Sequence, residues 1–244
     1  MKAFAASLAI QFRLDVRDRG TLLTYYLVPL LFYFVMGAVF SAINPVIRET
    51  LTASMGIFAV TMGTVLGMPV PLVKMRETGI LRSYRVSGIP RWSVYLAQSV
   101  STGLHLLIVA LVIFVTAPLL YGAVWPDAPF VWMVVLLALL FASLSLGLLI
   151  GVLARSQAVA MMLSQAVFLP TMMFSGIMFP TEMLPQPLQA AGRILPATWL
   201  MMAFQQGAYK LAAPVPLWLC LLAGIGIGLA ALAAAAWRSR HQAV

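Results

Sequence analysis

A chain of 244 residues that is 63% hydrophobic and only 9% charged is not built for water, since an ordinary soluble domain is roughly half apolar and about one quarter charged. Its formal net charge of +9 would suggest nucleic acid in a soluble protein. Here the basic residues flank long apolar runs, where they favour anionic headgroups and fix topology, so nucleic acid is set aside as a partner in favour of the lipid bilayer. The single cysteine, Cys220, and the two histidines, His105 and His241, exclude a disulfide framework, a cysteine cluster and the histidine zinc motifs within one chain.

Residues 1–20 read as an amphipathic helix on the inner membrane surface. Phe4, Leu8 and Phe12 share a face with Ala5 and Ala9, and Lys2, Arg13 and Arg17 lie opposite. Asp15 and Arg19 break the apolar face, so the helix is expected to end near Leu14 or turn from the bilayer there; a frayed tail is the alternative. Residues 21–237 form one membrane domain, because six runs reach the roughly 20 residues that cross a hydrocarbon core of about 30 Å. These are 21–47, 50–73, 93–121, 130–154, 156–179 and 216–237. Barrel strands would be shorter and would alternate polar with apolar, which these runs do not. The expected fold is therefore an all-α bundle of six transmembrane helices.

Reading the connections alternately places the N-terminus, 74–91, Arg155 and the tail 238–244 on one side with twelve basic residues. Arg48, Arg193 and Lys210 are left on the other. By the positive-inside rule both termini face the cytoplasm.

The inner connection 74–92 reads KMRETGILRSYRVSGIPRW. Leu81, Tyr84 and Arg85 fall at helical spacing from Glu77 and Ile80, and Gly88 with Pro90 would stop such a helix. A short amphipathic helix beneath the membrane and a solvated basic loop are both compatible with it. The outer connection 180–215 carries prolines at 180, 185, 187, 196 and 214 and is too apolar for a free loop. Leu188, Ala191 and Leu195 can share a face there, so short helices dipping into or lying on the outer leaflet are expected; a proline-rich cap is the alternative.

Small residues recur four apart at Gly63 and Gly67, at Ser143, Gly147 and Gly151, and at Gly224 and Gly228, which lets helix backbones approach closely. Packing within the chain is favoured over a dimer seam. His105 lies about ten residues into the third run, roughly 15 Å deep, where an ionisable group is a functional candidate; a hydrogen-bonded packing residue is the alternative. His105, Gln165, Met172 and Met173 are the candidate substrate path, methionine giving an adaptable apolar surface.

A P-loop needs glycine immediately before its lysine. Lys2, Lys74 and Lys210 follow Met1, Val73 and Tyr209, so no such ATP site is expected, and no catalytic, cofactor or metal residue is assigned. The six carboxylates, Asp15, Asp18, Glu49, Glu77, Asp127 and Glu182, fall at or beyond the ends of the runs. The buried carboxylate of many ion-coupled carriers is therefore not expected either. An autonomous secondary carrier or channel is the second functional class, and an intramembrane enzyme or scaffold the third.

The sequence resembles the membrane (permease) subunits of type-2 ABC exporters over essentially its whole length. The resemblance rests on the N-terminal helix, the six spans, and Arg76-Glu77-Thr78-Gly79-Ile80-Leu81, which is similar to an R-E-x-G-x-L motif followed by a proline, here Pro90. It rests equally on Phe174-Ser175-Gly176 leading to Phe179-Pro180, then Leu184-Pro185 and Leu195-Pro196 before Trp199.

The resemblance implies a permease of a bacterial-type inner membrane that moves a substrate out of the cytoplasm, with hydrophobic drugs, lipid-linked molecules and polysaccharides as candidate cargo. The energy would come from a separate ATP-binding-cassette subunit, which would use the ATP and Mg. Arg76, Glu77, Gly79, Leu81, Arg82 and Pro90 would form a coupling helix that docks on that subunit. Phe174, Ser175, Gly176, Phe179, Pro180 and Pro196 would belong to outer re-entrant helices closing the exit. A second permease copy, identical or related, would complete the path.

Overall fold

In the computed structural model, residues 2–43, 48–86, 90–178 and 181–240 are described. They form helices with no strand among them. In chain order these are α1 (Lys2–Arg17), α2 (Arg19–Ala42), α3 (Leu51–Glu77), α4 (Ile80–Val86), α5 (Arg91–Tyr121), α6 (Pro129–Leu153), α7 (Gln157–Phe174), α8 (Gln186–Gly192), α9 (Pro196–Ala203) and α10 (Leu217–Arg240). Six of them, α2, α3, α5, α6, α7 and α10, are long and apolar enough to cross a membrane.

The centre is α3, whose residues from Leu51 to Thr61 are all buried. Its sequence explains this position. Ala53, Ser54, Gly56, Ala59, Gly63 and Gly67 leave room for neighbours on every side, and α2, α5, α6, α7 and α9 all pack around it. The Thr64 hydroxyl costs little there, because it returns its proton to the carbonyl of Val60 within the helix. α6 is the second most enclosed span, and α10 lies along it. Each expected small-residue stripe meets a neighbour within this one chain. A β-carbon on Gly63 would strike Leu106, one on Gly67 would strike Tyr25, and those on Gly224 and Gly228 would strike Leu200 and Ala142.

Two spans depart from the sequence expectation at their ends. α3 runs on to Glu77, so Lys74 and Arg76 occupy its last turn rather than a loop. α7 stops at Phe174, five residues short of the apolar run, because Ser175 caps it and Gly176 takes the left-handed conformation at φ +77°. The segment 44–47 lies outside the described residues, as does Gly88 of the inner connection.

α1 corrects two expectations. It does not end at Leu14 but continues to Arg17. Asp18 then caps α2, its Oδ2 accepting from the Thr21 hydroxyl at 2.6 Å and the Thr21 amide at 3.1 Å. The Thr21 hydroxyl bond, foremost, holds the Asp18 carboxyl below its ordinary range. The face of α1 turned inward carries Leu8, Gln11, Phe12 and Asp15, at helical spacing, while Ile10, Leu14 and Val16 are exposed. Asp15 is only 5% exposed and packs on α5, so a carboxylate is buried after all.

Candidate functional site

The described part of the connection 74–92 begins as a helical corner. α3 ends at Glu77 with Thr78 as its cap, Gly79 turns the chain at φ +75°, and α4 follows at once. Two side chains of the last turn of α3 fasten it to other spans. The Arg76 guanidinium donates to the carbonyls of Val152 and Ala154 at the C-terminal end of α6, where a cation also meets the negative end of the helix dipole. Glu77 Oε2 accepts from Gln157 Nε2 at 2.6 Å, at the first residue of α7.

Leu81 is buried with Met68, Leu72, Val94, Tyr95 and Val152, which roots α4 against α3, α5 and α6. Of the six expected docking residues, Arg76, Glu77 and Leu81 are therefore engaged within the chain. Gly79 provides the turn, and Pro90 opens α5 with an extended backbone. Arg82 lies in α4, its side chain outside what the structure describes. Among the described residues, the exposed apolar side chains here are Ile80, Val86 and Trp92, none of them one of the six expected docking residues. A signal was present, since apolar residues in a basic inner segment have no reason to face water.

Replacing Arg76 by alanine removes both carbonyl partners of the α6 terminus. The expected loss is about 1–2 kcal/mol, read as a lowered thermal midpoint of the purified chain, with Arg76→Lys intermediate.

At the other end, α7 is knotted to the outer connection. Thr198 Oγ1 lies 2.9 Å from the Ser175 hydroxyl and donates to the carbonyl of Gly192 at 2.6 Å. Ser175, Gly192 and Pro196 are buried, and a β-carbon on Gly192 would lie 2.6 Å from the Phe174 carbonyl. α9 is enclosed between α6 and α10 and touches α3 and α7. Phe174, Ser175, Gly176 and Pro196 are thus brought together, while Phe179 and Pro180 lie outside the described residues.

The four candidate path residues are not brought together. His105 is fully buried on α5 and Met172 belongs to the core. Gln165 and Met173 are exposed on α7, on a stripe that includes Met162 and Leu169.

His105 instead anchors a polar cluster between α1, α2 and α5. Phe12 stacks on its ring with centroids 4.3 Å apart, Tyr26 Oη lies 2.7 Å from Nδ1, and Tyr25 Oη lies 3.0 Å from Thr102 Oγ1. Both tyrosines fall in a π-turn, Leu23–Leu27, whose extra residue lets consecutive side chains reach the same neighbouring helix. Such turns frequently mark functional positions. Asp15 completes the cluster. Its Oδ2 accepts from Ser101 Oγ at 2.5 Å, its Oδ1 accepts from Gln11 Nε2 at 2.9 Å, and His105 Nε2 lies 3.9 Å away. The sequence flagged His105 but not its partner, because Asp15 is distant in the chain and outside any apolar run.

Six helices of spanning length and apolarity, packed around a buried central one, define a multi-pass α-helical membrane protein. The chain belongs to the ABC-2 type transporter family, whose model matches residues 2–209. It is similar to the putative transport permease YvfS of Bacillus subtilis (strain 168), 26% identical over 205 residues that cover 80% of each chain. It is also similar to the inner membrane transport permease YhhJ of Escherichia coli (strain K12), 30% identical over 160 residues. That match covers 64% of this chain and 42% of the relative.

Proposed function

We propose that this chain is the driven, membrane-spanning half of an exporter whose energy comes from a separate ATP-binding subunit that holds ATP and Mg. The observation that carries this reading is the inner corner at Gly79. It exposes Ile80 and Val86 on α4, and Arg76 and Glu77 clamp its root to α6 and α7. A push on α4 from the cytoplasmic side is therefore delivered to three spans at once. The shift of the bundle between inward-open and outward-open states would follow as a rigid-body rearrangement.

In this reading the termini and α4 face the cytoplasm of a bacterial-type inner membrane, α1 rests at its inner surface, and α8 with α9 form the outer closure. A second copy, identical or related, covers the exposed stripe of α7. Gln165 supports that placement, since an amide facing lipid would lack partners.

The test is reconstitution. The chain alone in liposomes should hydrolyse no ATP, and cysteine at Val86 should cross-link to the co-expressed ATPase subunit. Cysteine at Met173 should cross-link to a second permease chain. Gradient-driven transport by the isolated chain without nucleotide would overturn the proposal in favour of a secondary carrier.

A further inference from the structure

We infer that Asp15 and His105 form a buried proton-binding site that latches α1 onto the bundle, with one proton shared by the pair when α1 is docked. The inference stands apart from the transport reading, since it concerns how α1 is held.

The geometry gives the reasons. Asp15 and His105 come from different helices, are essentially excluded from solvent, and approach to 3.9 Å. In the tautomer whose Nδ1 accepts the Tyr26 hydroxyl, Nε2 carries the hydrogen and has no hydrogen-bond partner in the structure, although it is fully buried. The nearest ionisable oxygen is that of Asp15. With Asp15 ionised and His105 neutral, the enclosed pair carries a net charge of −1, which a low-dielectric site disfavours. Uptake of one proton from the aqueous phase, on the carboxylate or on the imidazole, makes the pair neutral overall. Its titration then belongs to the pair and not to either residue.

Among the described residues, no other charge stands ready to neutralise Asp15. From α1 itself, Gln11 donates to it; from α5 the facing groups are Ser101 and His105; from α2 they are the neutral phenols of Tyr25 and Tyr26. Asp18, at the start of α2, adds a like charge. Burial, the largest influence, pushes the Asp15 carboxyl above its ordinary value, outweighing the hydrogen bonds from Ser101 and Gln11 that favour ionisation. Asp15 lies three residues in sequence from the exposed Asp18.

The direction follows from linkage. Docked α1 raises the Asp15 pKa, so the docked state binds more protons than the undocked one. Docking is strongest while the docked pair holds its shared proton and weakens as pH rises through the pair's raised value.

The experiment uses the full chain in lipid nanodiscs. Spin labels are placed on the exposed positions Leu14→Cys and Leu104→Cys, with Cys220→Ala as background. The docked-to-undocked ratio of wild type should fall by about tenfold or more between about pH 5 and about pH 9. Asp15→Asn, which mimics the protonated carboxyl, should hold its ratio within about twofold over the same range. Independently, the infrared band of a protonated carboxyl in the unlabelled protein should persist well above the ordinary carboxylate pKa and vanish in Asp15→Asn. A wild-type ratio that does not change with pH, or a persistent band that Asp15→Asn leaves in place, overturns the inference.

Discussion

Replacing Glu77 by alanine and Gly79 by valine together is expected to reduce transport by this chain with the proposed ATPase subunit by on the order of tenfold or more, with the chain still folded. The measurement is how far this chain changes ATP hydrolysis by the proposed partner. The two changes act on the same lever. Glu77 is exposed, so losing its bond to Gln157 costs the fold only about 1 kcal/mol or less. It does cut the link from the corner to α7.

Valine at position 79 finds open space for its β-carbon but must adopt φ +75°, a strain of roughly 1–2 kcal/mol. The chain can relieve that strain by re-aiming α4. Single changes separate the contributions. If Gln157→Ala matches Glu77→Ala, the internal link matters. If Gln157→Ala is silent, Glu77 acts on the partner subunit directly. Unchanged coupling in the double variant would sink the docking proposal.

Hydrophobic periodicity and length made the six spans legible, since a run of twenty apolar residues has one solution in a bilayer. What it could not reveal is the order of enclosure among them. α2 and α3 look equally apolar in sequence, yet α3 is central because its alanines and glycines accept neighbours on every face. Span ends were misjudged where a local conformation overrode composition. At Gly176 the left-handed backbone halts α7 inside an apolar run, and past Val73 the helix simply continues through charged residues. The inner motif was visible as a string of letters. That Arg76 caps α6 and Glu77 reaches α7 depends on contacts about 80 residues apart, which no local pattern encodes.

Asp15 shows the same limit more sharply. A carboxylate between Leu14 and Val16, near a run of arginines, reads as surface because an unpaired buried charge is costly. The structure offsets that cost with Ser101, Gln11 and the nearby imidazole, all contributed by tertiary packing or by the preceding helical turn. The helix turns Leu8 and Phe12 together with Gln11 and Asp15 to the protein and leaves Ile10, Arg13, Leu14, Val16 and Arg17 outward, so each face mixes apolar with polar side chains.

The same logic of close approach gives the second large effect. Gly147→Leu is expected to prevent the bundle from forming, read as loss of monodisperse protein on size-exclusion chromatography. A β-carbon on Gly147 would lie 2.3 Å from the backbone oxygen of Thr64, and backbone, unlike a flexible side-chain tip, cannot step aside. Thr64 sits in the π-turn Met62–Gly67 of α3, at the contact between the two most enclosed spans. Relief would require α3 and α6 to separate, stripping contacts on both sides of the centre, so the cost should reach or exceed the roughly 1–3 kcal/mol typical of overpacked cores. Gly226→Leu is the matched control, since a β-carbon there meets nothing within 4 Å and leucine on α10 is at home facing lipid. Equal tolerance of the two leucines would mean that α3 and α6 do not touch at this point.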